Sequence, residues 1–557
     1  MRATLLGFAA CIASAAPLPA QEPSTPFGDM VRREIARADL SVPARPRGVD
    51  RTALGALYPG PDPRPLWTSD GRPTTQARAV VRALLDIGSH GLRPADYDAD
   101  SLSAAAAALD TGPPPGEIAR FDVALSVATM RALAELHAGR VDPRTLGFDV
   151  LDGRTPLDLV ARATAMSRSD DPTSALFAVE PQRAEYAALL PVLRHYRALA
   201  ADSSLRPPRA SRRALRAGDA YADAPALRRL LAALGDLPAN GAVLVEAADS
   251  LRYDSTLAEA VRAFQQRHAL EPDGVVGPAT MRQLRVPLAR RVLQLELALE
   301  RWRWLPDSTP ERYVVVNSPA FELYAFDRSA GEPQPVLHMK VIVGQAQKRH
   351  GTPVFAGTMR EVVFRPYWDV PPRIAREEII PKLRKRPSAY ASEGFEIVSG
   401  GEADATRYPF TEANLQRVVA GALRIRQRPG PDNPLGGVKL VFPNPYNVFL
   451  HGTPAAELFA RTRRDFSHGC IRVEHPAALV RFALDDSVTW SPAAIDSAMT
   501  GEVTRHVRLP RPVAVYVLYL TAVVGRDDQV YFYPDLYGRD AALERALDGR
   551  GAPARSP

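Results

Sequence analysis

The sequence predicts a multidomain α+β protein in which helical units precede a strand-rich unit. Three observations predict it. The chain has 557 residues, which at ~150 residues per domain gives three to four domains. From Thr75 to about Leu215 apolar residues recur at three- and four-residue spacing, with no strand-like alternation. After about residue 311 the period switches to two, and the chain to about Tyr537 is mainly strand-like with short helices. The composition, 46% hydrophobic and 24% charged, excludes a mostly disordered chain. No apolar run long enough to span a bilayer follows the first twenty positions, which excludes a polytopic membrane protein. Two cysteines exclude a disulfide scaffold. The 52 prolines fall in connectors without a period, which excludes collagen-like chains.

Residues 1–20 have the layout of a secretory signal: Arg2, a short apolar stretch, small residues and Pro. Cleavage after Ala20 removes Arg2, takes the net charge from +7 to +6 and leaves Cys470 as the one cysteine. Cys11, in FAAC, is the alternative: a lipidation cysteine. Residues 21–60 read as a linker with one short helix at Met30–Leu40. Residues 61–215 read as a helical scaffold domain, broken at Gly112–Pro115 and Pro207–Pro208. Residues 222–287 form a compact unit around an amphipathic helix, Leu257–His268, with Leu257, Val261 and Phe264 on one face. Asp273–Gly274 and Gly277–Pro278 supply turns before a second helix, Thr280–Leu284. A long helix, Leu288–Leu305, leads into strands at Tyr313–Asn317, Phe321–Phe326 and His338–Val343, and the strand-rich unit spans 312–540. An insertion at about 366–435 interrupts it, with Pro-rich arms around a helix-like Arg373–Lys385.

The basic balance, pI ≈ 9.4, is nearly all arginine, because the five lysines fall between Lys340 and Lys439. Arg and Glu are interleaved rather than blocked. In an exported protein this excludes nucleic acid as a partner and leaves a mild attraction to anionic wall polymers.

The chemistry concentrates in His451–Gly452–Thr453 and, after a spacer, Ser467–His468–Gly469–Cys470–Ile471–Arg472–Val473. Asn447–Leu450 reads as a strand and Ala455–Ala460 as a short helix. A thiol at its ordinary pKa of ~8.5 is mostly protonated at neutral pH. A neighbouring imidazole can take its proton and give a thiolate–imidazolium pair. A carboxylate or a backbone carbonyl would orient that imidazole. Gly469 allows a tight turn that presents the sulfur, and backbone N–H groups of such a turn form an oxyanion hole. The competing arrangement is zinc on Cys470, His468, His451 and His475, although the spacing matches no common zinc pattern.

The stretch "FPNPYNVFLHGTPAAELFARTRRDFSHGCIRVEHP" resembles the catalytic signature of the L,D-transpeptidases of the YkuD type. The wider chain is similar to the large periplasmic YcbB-type branch, through "PLWTSDGRP", "HGLRPADYD", "HAGRVDP", "RWRWLP", "FRPYWDVPPRIAREEIIPK", "RQRPGPDNPLGGVKLVFPN" and "YFYPDLYGRD". The run "AVRAFQQRHALEPDGVVGPATMRQL" resembles a small three-helix peptidoglycan-binding module. The resemblance implies Cys470 as nucleophile and His451 as general base, oriented by a main-chain carbonyl near Gly452. His468 would flank the sulfur, and Ser467 and Gly469 would shape the loop. Arg472 would meet a substrate carboxylate or a structural ion pair. The insertion would cap the site, with Tyr367, Trp368 and Arg373 lining the groove.

The implied reaction forms 3→3 peptidoglycan cross-links from tetrapeptide stems. A lysine of an outer-membrane lipoprotein is a further acceptor, and carbapenem-type β-lactams would acylate the same sulfur. No metal or organic cofactor is implied, and the compartment is the periplasm. Three other readings remain: an L,D-carboxypeptidase, a different secreted cysteine peptidase, and a non-catalytic wall-binding protein.

Overall fold

The computed structural model describes residues 26–38, 49–150, 154–237, 251–330, 335–347, 350–402 and 404–549. The signal expected at 1–20, Cys11 and Lys348 lie outside the described residues.

The N-terminal core is helical. Helices Pro26–Arg37, Arg51–Ala56, Thr75–Leu85, Ala99–Ala108 and Pro115–Ala138 enclose Trp67, Leu84, Leu125 and Leu133, all fully buried. At its centre the Asp122 carboxylate accepts hydrogen bonds from the backbone N–H groups of Leu66 (2.8 Å) and Trp67 (2.9 Å). It also accepts from the hydroxyls of Tyr58 (2.8 Å) and Thr68 (3.0 Å). Ser126, one turn on, accepts from the Trp67 indole at 2.9 Å. The PLWTS segment is thereby clamped to the longest helix of this core, as a buried carboxylate demands.

Two sequence expectations need correction here. Residues 26–37 and 51–56 are not part of a free linker, because Val31 and Leu54 are fully buried in the helical core. The expected Met30–Leu40 helix runs from Pro26 to Arg37, and its stripe of Phe27, Val31 and Ile35 lies against that core. The helical stretch also contains a strand. Phe148–Asp149 pairs in parallel with Val354–Phe355 of the downstream sheet.

The small module contains helices Ala224–Ala233, Ser255–Arg267 and Pro278–Leu284 around Leu227, Leu257, Val261 and Phe264. Gln265 ties its turn together, donating to Asp273 (2.8 Å) and Val275 O (3.0 Å) and accepting from Gly274 N–H (2.8 Å). Arg267 pairs with Asp236 and reaches Val530 O of the strand-rich unit at 2.7 Å. Helix Leu288–Arg303 then crosses between units. Arg303, fully buried, donates to His90 O (2.5 Å) and Tyr186 Oη (2.8 Å), while Arg301 meets Asp540 at 2.6 Å. The RWRWLP segment is therefore an inter-unit joint.

The strand-rich unit is built on one main sheet. Val438–Val441, Leu450–His451, Ile471–Val473, Pro335–Gly344, Glu322–Asp327, Arg312–Asn317, Arg505–Leu518 and Val354–Phe364 are hydrogen-bonded in that order. Val438–Val441 also pairs with Val354–Phe364, so the sheet closes on itself. Its interior holds Val314, Leu323, Val341, Phe355, Leu440, Leu450 and Ile471. The strand expected at Asn447–Leu450 shrinks to Leu450–His451. Asn447 sits at φ +53°, and Asn444 Nδ2 donates to Phe442 O and Val448 O at 2.7 Å each, which holds the preceding segment as a loop.

The insertion has its own four-stranded antiparallel sheet, in the order Trp368–Asp369, Arg424–Gln427, Phe395–Ser399, Thr406–Tyr408. Ile379, Ile380, Leu383, Ile397 and Ile425 form its separate core. The helix over 372–385 contains a π-helical turn, Ala375–Ile379. Pro381 follows directly; without an N–H it cannot donate to the Glu377 carbonyl, and the wider turn relieves the mismatch.

Candidate active site

Register assembles the site. Leu450 pairs with Ile471 and His451 with Arg472 in a parallel ladder, while Lys439 pairs with His451 on the other side. Leu450 and Ile471 point into the core. Side chains alternate along a strand, so Lys439, His451 and Arg472 share the opposite face. Cys470 lies two residues before Arg472 and falls on that face, diagonal to His451 and opposite Phe449.

The turn that presents the sulfur is braced from several sides. Ser467 Oγ donates to Cys470 O (2.5 Å) and accepts from Gly469 N–H (3.1 Å). Thr352 Oγ1 donates to Gly469 O (2.9 Å) and accepts from Gly344 N–H (2.9 Å). Tyr537 donates to Gly344 O at 2.8 Å. Gly469 has φ +122°, a conformation side chains avoid, and a Cβ on Gly344 would lie 1.8 Å from His350 O. Ser467 is thus engaged within the loop.

The His451 Nδ1 lies 2.6 Å from Gly452 O. A carbonyl only accepts, so Nδ1 carries the proton and Nε2 keeps its lone pair. Burial, followed by the Arg472 charge, pushes His451 down to about 3. Burial pushes the Cys470 thiol up. The Phe449 N–H and the Lys439 and Arg472 charges oppose that shift without cancelling it. The thiol is 3.7 Å from Asn447 O. Both shifts favour the neutral forms, thiol and imidazole, over the thiolate–imidazolium pair that the sequence reading allows. An imidazole with its lone pair on Nε2 is a general base in form, able to take a proton from a neighbouring nucleophile.

The insertion touches this loop. His468 Nε2 is 2.6 Å from Glu378 Oε1 on the π-helical turn, and the His468 ring lies 4.9 Å from that of His350. Arg373 is exposed and pairs with Glu377 at 3.1 Å, beside that contact. Tyr367 lies under Arg426, 4.2 Å from ring centroid to guanidinium, and Trp368 packs edge-on to Phe395. Both rings are used in packing the insertion. His475 is exposed next to Glu474. Among the described residues no group of three His, Cys, Asp or Glu side chains is placed to hold a metal ion, so the zinc set is not assembled.

Sequence reasoning did not single out Thr352, Lys439, Tyr537, Glu378 or Asn447. All but Thr352 lie in stretches that carry the resemblance, Glu378 in "FRPYWDVPPRIAREEIIPK", Lys439 in "RQRPGPDNPLGGVKLVFPN", Asn447 just before His451 and Tyr537 in "YFYPDLYGRD", but the stretches gave none of them a role.

Comparison with known proteins follows this geometry. Residues 52–193 match the scaffold domain family, residues 221–284 a peptidoglycan binding domain, and residues 311–495 the YkuD L,D-transpeptidase catalytic domain. A Haemophilus influenzae protein named "Putative L,D-transpeptidase" is 27% identical over 255 residues. The match covers 45% of this chain and 49% of that relative, so the chain spans about half the relative's length.

Proposed function

We propose that this chain, which carries a YkuD-type L,D-transpeptidase catalytic domain together with a scaffold domain and a peptidoglycan-binding domain, is a cysteine acyltransferase that forms 3→3 cross-links in the periplasm. The observation that carries this reading is the placement of Cys470 and His451 on one sheet face, with His451 Nδ1 committed to Gly452 O.

The donor is a tetrapeptide stem. Cys470 Sγ attacks the carbonyl carbon of the diaminopimelate L-centre while its proton passes to His451 Nε2. The Gly469 N–H is occupied by Ser467 Oγ, which leaves the His468 and Cys470 N–H groups as the oxyanion donors of the turn. Collapse of the tetrahedral intermediate breaks the C–N bond. His451 returns the proton to the departing D-Ala amine, and a thioester remains on Cys470. The side-chain amine of a second stem attacks the thioester, loses a proton to His451 and releases the thiol.

A lipoprotein lysine is an equivalent nucleophile for the second step, and water in its place gives L,D-carboxypeptidase activity. A carbapenem ring carbonyl is an electrophile for the first. Intact-protein mass spectrometry with a disaccharide-tetrapeptide donor tests the reading. A thioester adduct on the wild type, none on Cys470→Ser, and a cross-linked dimer when a second stem is supplied are expected. Unimpaired cross-linking by Cys470→Ser refutes it.

A further inference from the structure

The sheet face that presents the thiol carries two cations with no carboxylate in ion-pair contact among the described residues; Asp369, Glu402 and Glu361 act on Lys439, and Glu457 on Arg472, only from farther away. Lys439 folds its ammonium over the Phe449 ring, 4.1 Å from the centroid. Phe449 is the residue opposite Cys470, so the ammonium is brought toward the sulfur. Arg472 lies on the far side of His451, and its Nε is buried without a hydrogen-bond partner. Neither cation makes an ion pair among the described residues. Arg267, Arg301, Arg312 and Arg426 are more deeply buried than either, and each is matched to a carboxylate: Asp236, Asp540, Asp327 and Glu396. Burial drags the Lys439 ammonium below its ordinary pKa. Even a half-buried cation without a close counter-ion carries a desolvation cost, and a ligand that brings the anion relieves it.

We propose that Lys439 and Arg472 form a carboxylate-binding subsite in which Lys439 takes the terminal carboxylate of the departing residue. This rests on the reading of Cys470 as the nucleophile. When the sulfur attacks the third-residue carbonyl, the next carboxyl carbon along the chain is only about 3–4 Å from the attacked carbon. It is charged there only if the fourth residue is the last. An extended or amidated stem presents a neutral amide at the same place. Lys439 is then the residue that restricts donors to stems ending one residue past the scissile bond, and Arg472 adds the second positive charge.

The test uses the full chain and two donors: a disaccharide-tetrapeptide with a free C-terminal carboxylate, and the same molecule with a C-terminal carboxamide. Acylation of Cys470 is followed by intact mass, and kcat/KM is compared. The wild type is expected to favour the carboxylate by about tenfold or more, the scale of one charge-assisted hydrogen bond. Lys439→Met is expected to bring that ratio close to one, chiefly through KM, and Lys439→Arg to restore most of it. A wild type indifferent to the carboxylate overturns the subsite, as does a Lys439→Met protein that is slower on both donors by one common factor. Absence of acylation by either donor in the wild type overturns the nucleophile reading itself, and the subsite with it.

Discussion

The neutral resting state of the Cys470–His451 pair can be read directly by alkylating the thiol across pH. An ordinary thiol of pKa ~8.5 is about 3% thiolate at pH 7. Burial raises Cys470 above its ordinary value, so its thiolate fraction at pH 7 lies below that. Only the thiolate reacts. The iodoacetamide rate constant is therefore expected to rise about tenfold per pH unit from pH 6 to 8, with no plateau. His451 is neutral down to about 3, so it adds no inflection in this window. His451→Gln, which removes no ion pair, is expected to leave the slope in place. The assay is single-hit alkylation of the full chain under pseudo-first-order conditions, quantified by peptide mass spectrometry at Cys470. A rate that is flat between pH 5 and 8, and that becomes steep in His451→Gln, would establish a preformed thiolate–imidazolium pair and refute the reasoning.

His451 also links stability to pH. Its folded value of about 3 lies below an unfolded value of ~6.5, so its contribution is fully present above pH ~6.5 and is lost as pH falls toward 3. Between pH 7 and 4.5 the wild-type catalytic domain is expected to lose about 2–3 kcal/mol more than His451→Gln, measured by urea denaturation at both pH values. Thr352→Val leaves a buried N–H on Gly344 and a carbonyl on Gly469 without partners. A loss of roughly 2–5 kcal/mol in the same assay and a fall in kcat are expected, and an unchanged midpoint would count against the bracing role. Asp122→Ala orphans three donors in the helical core, the Leu66 and Trp67 N–H groups and the Thr68 hydroxyl, while Tyr58 keeps Ser126. The scaffold's thermal transition is expected to fall by the equivalent of about 4 kcal/mol or more, read by calorimetry. Glu378→Gln weakens a half-exposed contact to His468 worth about 1 kcal/mol or less. Global stability is expected to hold while hydrogen exchange over 372–385 quickens and donor KM rises severalfold.

The local parts of the site were legible in the sequence. Ser467, Gly469 and Cys470 lie in one turn, and the exchange of hydrogen bonds between Ser467 and that turn needs no distant partner. The helices with strong periodicity, Ser255–Arg267 and Leu288–Arg303, lie within a few residues of their expected bounds. The rest depends on topology. Thr352 meets Gly469 only because two strands far apart in the chain lie side by side. Lys439 reaches the sulfur's neighbourhood through a register that no spacing rule contains. Asn447 left its expected strand because Asn444 claims the nearby carbonyls. Before residue 60 the sequence showed the first helix but not Arg51–Ala56 or the docking of both onto the core, because a composition rich in Pro, Ala and Arg masks the stripe of Phe27, Val31 and Ile35.

The two-residue strand Phe148–Asp149 has a mechanical consequence. It fastens the N-terminal half to the enzyme by main-chain bonds, which have no rotamers to exchange. Phe148 adds a rivet, seated edge-on against Trp304 at 5.3 Å with Arg539 over its face at 5.0 Å. A swivel at this seam would have to shear both at once. Tension arriving through the N-terminal half is thus handed straight to Val354–Phe364, a strand of the main sheet.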